Sequence, residues 1–136
     1  MADNFLYKAF ISARDWSQKN GFDEIKKQDF YSRYHKVVIR GDSRGGEGFE
    51  HFITKAAIMY IQKNRGRAVV SELPLFKNGK KVRSLDVFDA GENNHIGVED
   101  TSPEKDADFV IKISELPLSV RKGLRDLRLH IEGLIP

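Results

Sequence analysis

RSLDVFDAGENNHIGVEDT, residues 83–101, contains two short apolar runs on either side of a polar turn. Its first run is centred on Val87-Phe88 and its second on Ile96-Gly97-Val98, so the stretch predicts two strands joined by the turn residues GENN. Each strand also carries an acid, Asp86 in the first and Glu99 in the second. An unpaired charge is costly to remove from water, so an acid beside a buried strand face needs a partner. These two acids are therefore either exposed to solvent or bound to a partner group.

Further strands are predicted on both sides of this stretch. RAVVSE has the β-branched content of a strand, and the Asn-Gly pair in KNGK favours a tight hairpin, so residues 67–76 and 81–89 are predicted to pair antiparallel. FVIKI, residues 109–113, is a nearly continuous apolar strand. Four strands are expected in total, the first three forming an antiparallel meander.

Helical periodicity flanks the strands. Residues 4–19 predict a helix that Asn20-Gly21 ends, and residues 22–36 predict a second, more polar helix. Before the strands, a helix ending at Gly66 is predicted to bury one wide face, made of Phe49, Phe52, Ile53, Ala56, Ala57, Tyr60 and Ile61. After the strands, a final helix carries an apolar stripe that serves as core or as a dimer seam, made of Val120, Leu124, Leu127, Ile131 and Leu134.

These patterns predict an α/β (α+β) fold. Its mixed four-stranded sheet has the order helix, strand, strand, strand, strand, helix and follows two N-terminal helices. A chain of 136 residues, 40% hydrophobic and 32% charged, suits one compact domain. The absence of cysteine excludes disulfides and thiolate metal sites and favours an intracellular, cytoplasmic location. No run of about 18 apolar residues and no signal pattern occurs, so no membrane partner is expected.

The charge distribution leaves two interpretations open. A net charge of +3 favours an anionic partner without requiring one. Basic residues cluster in KNRGR (63–67), in KNGKKVR (77–83) and around RYHKVVIRGDSR (33–44), either as solvated hairpin tips and helix ends or as a phosphate-binding face. The candidate nucleic-acid contacts in these clusters are Arg44, Lys63, Arg65, Arg67, Lys80 and Lys81.

Several acids are candidates for chemistry. Asp86 and Glu99, on neighbouring strands, can come within a few ångströms of each other, which is the arrangement that binds Mg²⁺ or Mn²⁺ through oxygen ligands. Such an ion polarises a phosphate and lowers the pKa of an attacking water. Glu50 falls at the margin of its helix's apolar stripe, where it could face the sheet, and Glu72 is either a further candidate or an exposed strand end.

The histidines are expected to be surface residues rather than metal ligands. Neither His51 nor His95 has a second histidine at metal-ligand spacing.

The helix bearing Glu50, followed by VVSELPL, RSLDVFDA and HIGVEDT, resembles the core of the PD-(D/E)XK superfamily, the restriction-endonuclease-like and resolvase-like nucleases. The resemblance covers roughly residues 47–116. It implies that Glu50 is the helix acid, Asp86 the first metal ligand and Glu99 the second. It also implies a Mg²⁺ (or Mn²⁺) cofactor, DNA as partner and phosphodiester cleavage as the reaction. On this basis, the single domain 1–136 has an N-terminal helical extension (1–40) and a nuclease-like core (47–136).

Two features depart from the family pattern. Thr101 stands at the position of the family's catalytic lysine, with Lys55 and Lys81 as the nearest replacements. SPEKDAD, residues 102–108, is also too short for the usual crossover helix. Three hypotheses follow: a metal-dependent endonuclease-like domain, a non-catalytic nucleic-acid-binding or adaptor module with a degenerate nuclease-like core, and a protein-interaction domain that forms a homodimer through the C-terminal helix.

Overall fold

A computed structural model describes residues 2–39, 48–92, 94–99, 107–121 and 123–136, apart from the side chains of residues 2, 3 and 99. In this part of the chain the helices are α1 (Ala2–Lys19), α2 (Lys27–Tyr31), α3 (Phe49–Asn64) and α4 (Leu124–Ile131). The strands are β1 (Val69–Lys77), β2 (Lys80–Asp89), β3 (Asn94–Glu99) and β4 (Phe109–Lys112). Two short 3₁₀ turns, Ile113–Glu115 and Leu118–Val120, connect β4 to α4.

The four strands form one mixed sheet in the order β1-β2-β3-β4. β1 with β2 and β2 with β3 are antiparallel, whereas β3 and β4 are parallel. The predicted α/β class, with a mixed four-stranded sheet preceded by helices, is therefore confirmed. Most of the segment 102–108, expected to be a shortened crossover, lies outside the described residues.

The predicted hairpin between β1 and β2 is also confirmed. Asn78 and Gly79 form its turn with φ values of 54° and 81°, the left-handed conformations that an Asn-Gly type I′ turn requires. The Asp23 carboxylate accepts hydrogen bonds from the backbone N–H groups of Asn78 at 3.1 Å and Gly79 at 2.8 Å. The loop between α1 and α2 therefore holds the hairpin tip.

Helices cover both faces of the sheet because each face is apolar. α3 and α4 pack on one face and α1 and α2 on the other. The buried residues of the first core are Ile53, Ala57, Ile58, Met59, Ile61, Val69, Val87, Ile96, Val98, Ile111, Ile113, Leu116, Leu127, Ile131 and Ile135. Those of the second are Ala9, Phe10, Ala13, Trp16, Ile25, Phe30, Ala68, Val70, Leu73, Leu75, Leu85 and Phe88.

The buried face of α3 differs from the predicted one. Phe49 and Tyr60 are 60% and 44% exposed, whereas the polar side chains of His51, Lys55 and Gln62 are buried. The polar residues have partners in the sheet or in neighbouring segments, so their burial is compensated. The apolar pattern identified the helix but not its rotation about its axis.

Two other helices depart from expectation. α2 is five residues long, and Tyr34, predicted to continue it, instead forms an isolated antiparallel bridge with Val70 of β1. In α4, Leu127 and Ile131 are fully buried and belong to the core shared with α3, so the centre of the stripe is core and is not available as a dimer seam.

No helix in the described segments is both long enough and apolar enough to cross a membrane.

Candidate functional site

The regular pleat of β1 is interrupted at Glu72. This residue has a φ of 52°, a left-handed conformation that a glutamate rarely adopts. Side chains of a regular strand alternate between faces, yet Val70 and Leu73, three residues apart, both lie in the core under α1 and α2. The irregular backbone thus changes which residues of β1 face each core.

Asp86 of β2 lies level with Glu72 of β1. The flanking residues fix this position, because Ser71 is the Cα partner of Val87 and Leu73 that of Leu85. Glu72 is 6% exposed and Asp86 is 2% exposed. Two acids therefore occupy adjacent buried positions on neighbouring strands, so the interpretation of Glu72 as an exposed strand end was wrong.

α3 supplies a basic side chain opposite each acid. His51 and Lys55, four residues apart, lie on the same side of the helix. Lys55 Nζ donates hydrogen bonds to Glu72 Oε1 at 3.0 Å and to the Val38 carbonyl oxygen at 2.7 Å. His51 Nε2 lies 3.5 Å from Asp86 Oδ1. We refer to His51, Lys55, Glu72 and Asp86 as the buried ion cluster.

The Asp86 carboxylate holds β3 in place. Its Oδ2 accepts a hydrogen bond of 2.8 Å from the Val98 backbone N–H. His51 Nε2 also lies 3.1 Å from the Val98 carbonyl oxygen, and because a carbonyl oxygen only accepts, Nε2 carries the hydrogen in this contact. Asp86 therefore accepts from the backbone N–H of Val98 and His51 donates to its carbonyl oxygen, so the two side chains link β3 to β2 and α3.

An open cavity of about 650 Å³ lies at the start of α3. We call it the α3 cavity; its lining residues are Gly48, Phe49, Glu50, His51, Ile113, Ser114 and Arg121. Glu50, the predicted helix acid, is half-buried in its wall. Arg121 also lines the cavity. Its Nε donates a hydrogen bond to the Leu116 carbonyl oxygen and its Nη2 donates one to the Ser114 carbonyl oxygen. Asp86 lies behind His51 and does not line the cavity in the described residues.

Glu99 ends β3 close to this cavity. Its Cα is paired with that of Lys112, and the next residue after Lys112 is Ile113, part of the cavity lining. The Glu99 side chain, and the whole of Thr101 and Arg44, lie outside the described residues. The backbone thus brings the segment ends that carry Glu50 and Glu99 to one end of the sheet.

The described residues do not by themselves fit Mg²⁺ or Mn²⁺. Among them, no group of three or more histidines and acids is arranged to hold a metal ion. Of the two predicted ligands, Asp86 is the one whose side chain is described, and both of its oxygens face protein groups, Oδ2 the Val98 N–H and Oδ1 His51.

The two candidate replacements for the family lysine lie in different places. Lys55 is fully buried and directs its ammonium group to Glu72 and Val38. Lys81 lies five residues before Asp86 in β2, which places its Cα about 16 Å away at the usual rise of a strand. Lys81 therefore belongs to the hairpin tip and not to the surroundings of Asp86.

Two of the basic candidates have partners within the chain. Arg65 donates hydrogen bonds to the carbonyl oxygens of Glu132 at 2.7 Å and Pro136 at 2.9 Å. Arg67 forms ion pairs with Asp89 at 3.1 Å and Glu92 at 3.2 Å, and it also donates to the Pro136 carbonyl oxygen. Both arginines fix the C-terminal segment, which accounts for their placement without a ligand.

The remaining candidates are exposed lysines. Lys63 lies in the last turn of α3, and Lys80 and Lys81 flank the hairpin turn together with Lys77, which belongs to the same basic cluster but was not among the candidates. No acidic side chain in the described part of the chain lies within ion-pair distance of the three hairpin lysines. Lys26, which sequence clustering did not select, packs its Nζ 5.0 Å from the Phe76 ring centroid.

We call Lys26, Lys77, Lys80 and Lys81 the lysine tip. It lies at the same end of the sheet as the α3 cavity. The pairing of Val87 with Ile96, continued along the strands, places Glu99 level with Ser84. Lys81 precedes Ser84 by three residues and lies nearer the hairpin turn, so the tip projects about 10 Å beyond the level of Glu99.

Sequence patterns did not identify which polar residues lie inside the protein. His51 and His95, expected at the surface, are 2% and 0% exposed. The spacing of His51 and Lys55 within an apolar helix was a signal that both could face the sheet. The burial of Glu72 had no comparable signal, because it depends on the irregular backbone of β1.

Comparison of the chain with protein-family models, with curated proteins and with solved structures gave no match. The resemblance to nucleases therefore rests on the residues named above alone.

Proposed function

We propose that this protein is a non-catalytic DNA-binding module that contacts phosphates through the lysine tip. The observation that carries the proposal is the set of exposed hairpin lysines with no acid at ion-pair distance among the described residues. Without an ion-pair partner these lysines attract an anion, and the Asp23 carboxylate, which accepts hydrogen bonds from the Asn78 and Gly79 N–H groups, offsets part of their charge.

The geometry of the hairpin supports phosphate binding. Lys77 and Lys80 are Cα partners across the turn, and neighbouring strands lie about 4.8 Å apart, so these two cations lie close together, while Lys81 is paired with Phe76 on the other face of the hairpin. A nucleic acid presents phosphates in close succession and releases bound counterions when lysines neutralise them. Asp23 and the Asn-Gly turn hold the hairpin in one conformation, which reduces the entropy lost on binding.

The buried ion cluster supports binding without cleavage. The Asp86 carboxylate contacts the Val98 N–H and His51, and the Lys55 ammonium group is paired with Glu72. These are the residues that hydrolysis would require as metal ligand and as replacement lysine. Their contacts within the protein account for their burial without any substrate.

The proposal is tested by fluorescence anisotropy with a labelled DNA oligonucleotide. The Lys80→Gln/Lys81→Gln variant is compared with Lys8→Gln/Arg125→Gln, which removes the same charge from exposed basic residues of α1 and α4 that belong to none of the candidate sites. We expect the hairpin variant to bind much more weakly and the control to bind like the wild type. Equal losses in the two variants would contradict a localised site, and no binding by the wild type would reject the function.

A second candidate function, a divalent-metal-dependent phosphodiesterase of the endonuclease type, is favoured by one observation. Glu50 lines the α3 cavity, the backbone of Glu99 ends beside it, and Asp86 lies behind the His51 ring. Glu50 and the backbone of Glu99 thus lie at the end of the sheet where the α3 cavity opens, and Asp86 lies deeper in β2, behind His51. Asp86 and Glu99 would be the ligands for Mg²⁺ or Mn²⁺, and Asp86 would have to give up a contact within the protein.

Cleavage assays separate the two candidates. Supercoiled, single-stranded and branched DNA are incubated with the protein in Mg²⁺, in Mn²⁺ and in EDTA. Asp86→Asn is the appropriate variant, because Asp86→Ala would also leave the Val98 N–H without an acceptor and destabilise the fold by about 1–3 kcal/mol. Metal-dependent cleavage that is lost in Asp86→Asn and in Glu50→Gln would establish the phosphodiesterase. Binding without cleavage would support the non-catalytic module.

A further inference from the structure

An aromatic pocket of about 360 Å³ lies on the surface formed by α1 and α2. Its lining residues are Asn4, Leu6, Tyr7, Lys27 and Tyr31. This volume is at the lower end of the range for small-molecule sites. The Tyr7 side chain is 45% exposed, so much of its surface is accessible to a ligand.

A lysine lies between the two tyrosine rings of the pocket. Lys27 Nζ is 5.5 Å from the ring centroid of Tyr7 and 5.4 Å from that of Tyr31. Phe10, which is 6% exposed, contacts both rings from the core side, with centroid distances of 6.2 Å to each. The buried ring supports the two tyrosines, so the pocket is formed in the absence of a ligand.

The aromatic pocket and the lysine tip are joined in the chain by the consecutive residues Lys26 and Lys27. Lys26 immediately precedes Lys27, and their Cα atoms are about 3.8 Å apart across a trans peptide bond. Lys27 is directed to the pocket, whereas Lys26 packs on Phe76 of the hairpin. A nucleic-acid strand with its phosphates on the lysine tip would therefore have the pocket within reach of a neighbouring nucleotide.

We propose that the aromatic pocket takes an unpaired base of a single-stranded nucleic acid whose phosphates lie on the lysine tip. This inference rests on the proposed nucleic-acid binding. Aromatic side chains beside a basic surface are the features with which proteins bind single strands, because every base has a face that can stack on a ring. In a duplex the bases are paired and stacked inside the helix, so they cannot enter a surface pocket without being extruded.

The test compares a single-stranded thymidine oligonucleotide with a duplex of equal length, both followed by fluorescence anisotropy at one salt concentration. Tyr7→Ala is expected to weaken single-strand binding about tenfold and to leave duplex binding unchanged. Tyr7→Phe keeps the ring and is expected to bind like the wild type. Tyr60→Ala is the matched control, because Tyr60 is similarly exposed at 44% but lies on α3.

The outcomes distinguish this inference from the proposed function. Equal losses for single strand and duplex in Tyr7→Ala, or a loss in Tyr7→Phe, would overturn base stacking while leaving phosphate binding at the lysine tip in place. Binding that depends on Lys80 and Lys81 but not on Tyr7 would do the same. A wild-type protein that binds neither oligonucleotide would overturn the proposed function itself. Thermal unfolding of each variant checks that the fold is retained.

Discussion

Lys55 is a charged residue with no solvent exposure, and its pairing with Glu72 links α3 to β1. Replacing Lys55 by methionine would retain most of the side-chain volume but leave the Glu72 charge buried without this partner. We expect the free energy of unfolding to fall by about 3–5 kcal/mol. Urea unfolding measures this change.

The double variant Lys55→Met/Glu72→Gln serves as the control for that substitution. It removes both charges, so it should be destabilised less than Lys55→Met alone. Equal or greater destabilisation of the double variant would contradict the ion pair as the reason for the loss.

His35 gives the stability a pH dependence. Burial lowers its pKa, a hydrogen bond with the Arg67 carbonyl oxygen opposes this, and the nearby Lys63 charge lowers the pKa further. The unfolded chain therefore binds a proton at this position more readily than the folded protein. This contribution to stability is complete above the unfolded pKa of about 6.5 and is lost as the pH falls through the folded pKa.

Urea unfolding between pH 5 and pH 8 tests the effect of His35. The comparison is with His35→Asn, since asparagine tolerates the left-handed φ of 57° at this position. We expect the wild type to lose more stability than the variant on acidification. Parallel pH profiles would contradict a contribution from His35.

Residue-level burial was the least predictable property of this chain. His51 and Asp86 contact each other only because α3 packs on the sheet, and they are 35 positions apart in the sequence. A sequence pattern identifies polar residues but does not reveal whether a distant segment compensates their charge. Asp86 was correctly singled out as an acid needing a partner, and the described partners are groups of the protein.

At the level of elements, the hairpin was predictable because its determinants are local. Asn78 and Gly79 both adopt left-handed conformations, and glycine does so at little cost. Gly79→Ala is expected to destabilise the protein by about 1 kcal/mol through backbone strain alone, since a Cβ at this position would meet no atom within 4 Å.

Gly133→Ala is the matched control for the hairpin substitution. Its Cβ would also meet no atom within 4 Å, and Gly133 does not have the left-handed φ of Gly79. We expect a change smaller than about 0.5 kcal/mol by thermal or urea unfolding. Equal effects of the two substitutions would contradict the assignment of the cost to the turn conformation.

The orientation of α3 could not be read from its apolar residues. The wide predicted face included Phe49 and Tyr60, which are exposed because His51, Lys55 and Gln62 take the positions of α3 that face the sheet. An analysis of hydrophobic periodicity counts every polar residue as solvent-exposed, including the polar residues that are buried. The helix was therefore predicted and its rotation was not.

At the scale of the whole molecule, the order of elements followed from the sequence, whereas their pairing depended on distant contacts. The predicted meander of β1, β2 and β3 joins strands that are neighbours in the chain. The parallel pairing of β3 with β4 had no local signal, because it requires the chain to cross from one end of the sheet to the other.

The positive charges are also distributed in a way that the net charge of +3 does not reveal. Arg65 and Arg67 are used inside the protein to hold its C-terminal segment. The lysine tip remains as a projecting basic surface at the end of the sheet where the α3 cavity lies. The functional proposal depends on this distribution and not on the total charge.

The most direct test of the central claim, that the lysine tip binds nucleic acid phosphates, is the salt dependence of single-stranded DNA binding. Each phosphate contact contributes about 0.7 to the slope of log K against log salt concentration. Lys80→Gln/Lys81→Gln should therefore reduce the magnitude of the wild-type slope by about 1.4, and Lys8→Gln/Arg125→Gln should leave it unchanged. A slope that is the same in the wild type and the hairpin variant would contradict the account.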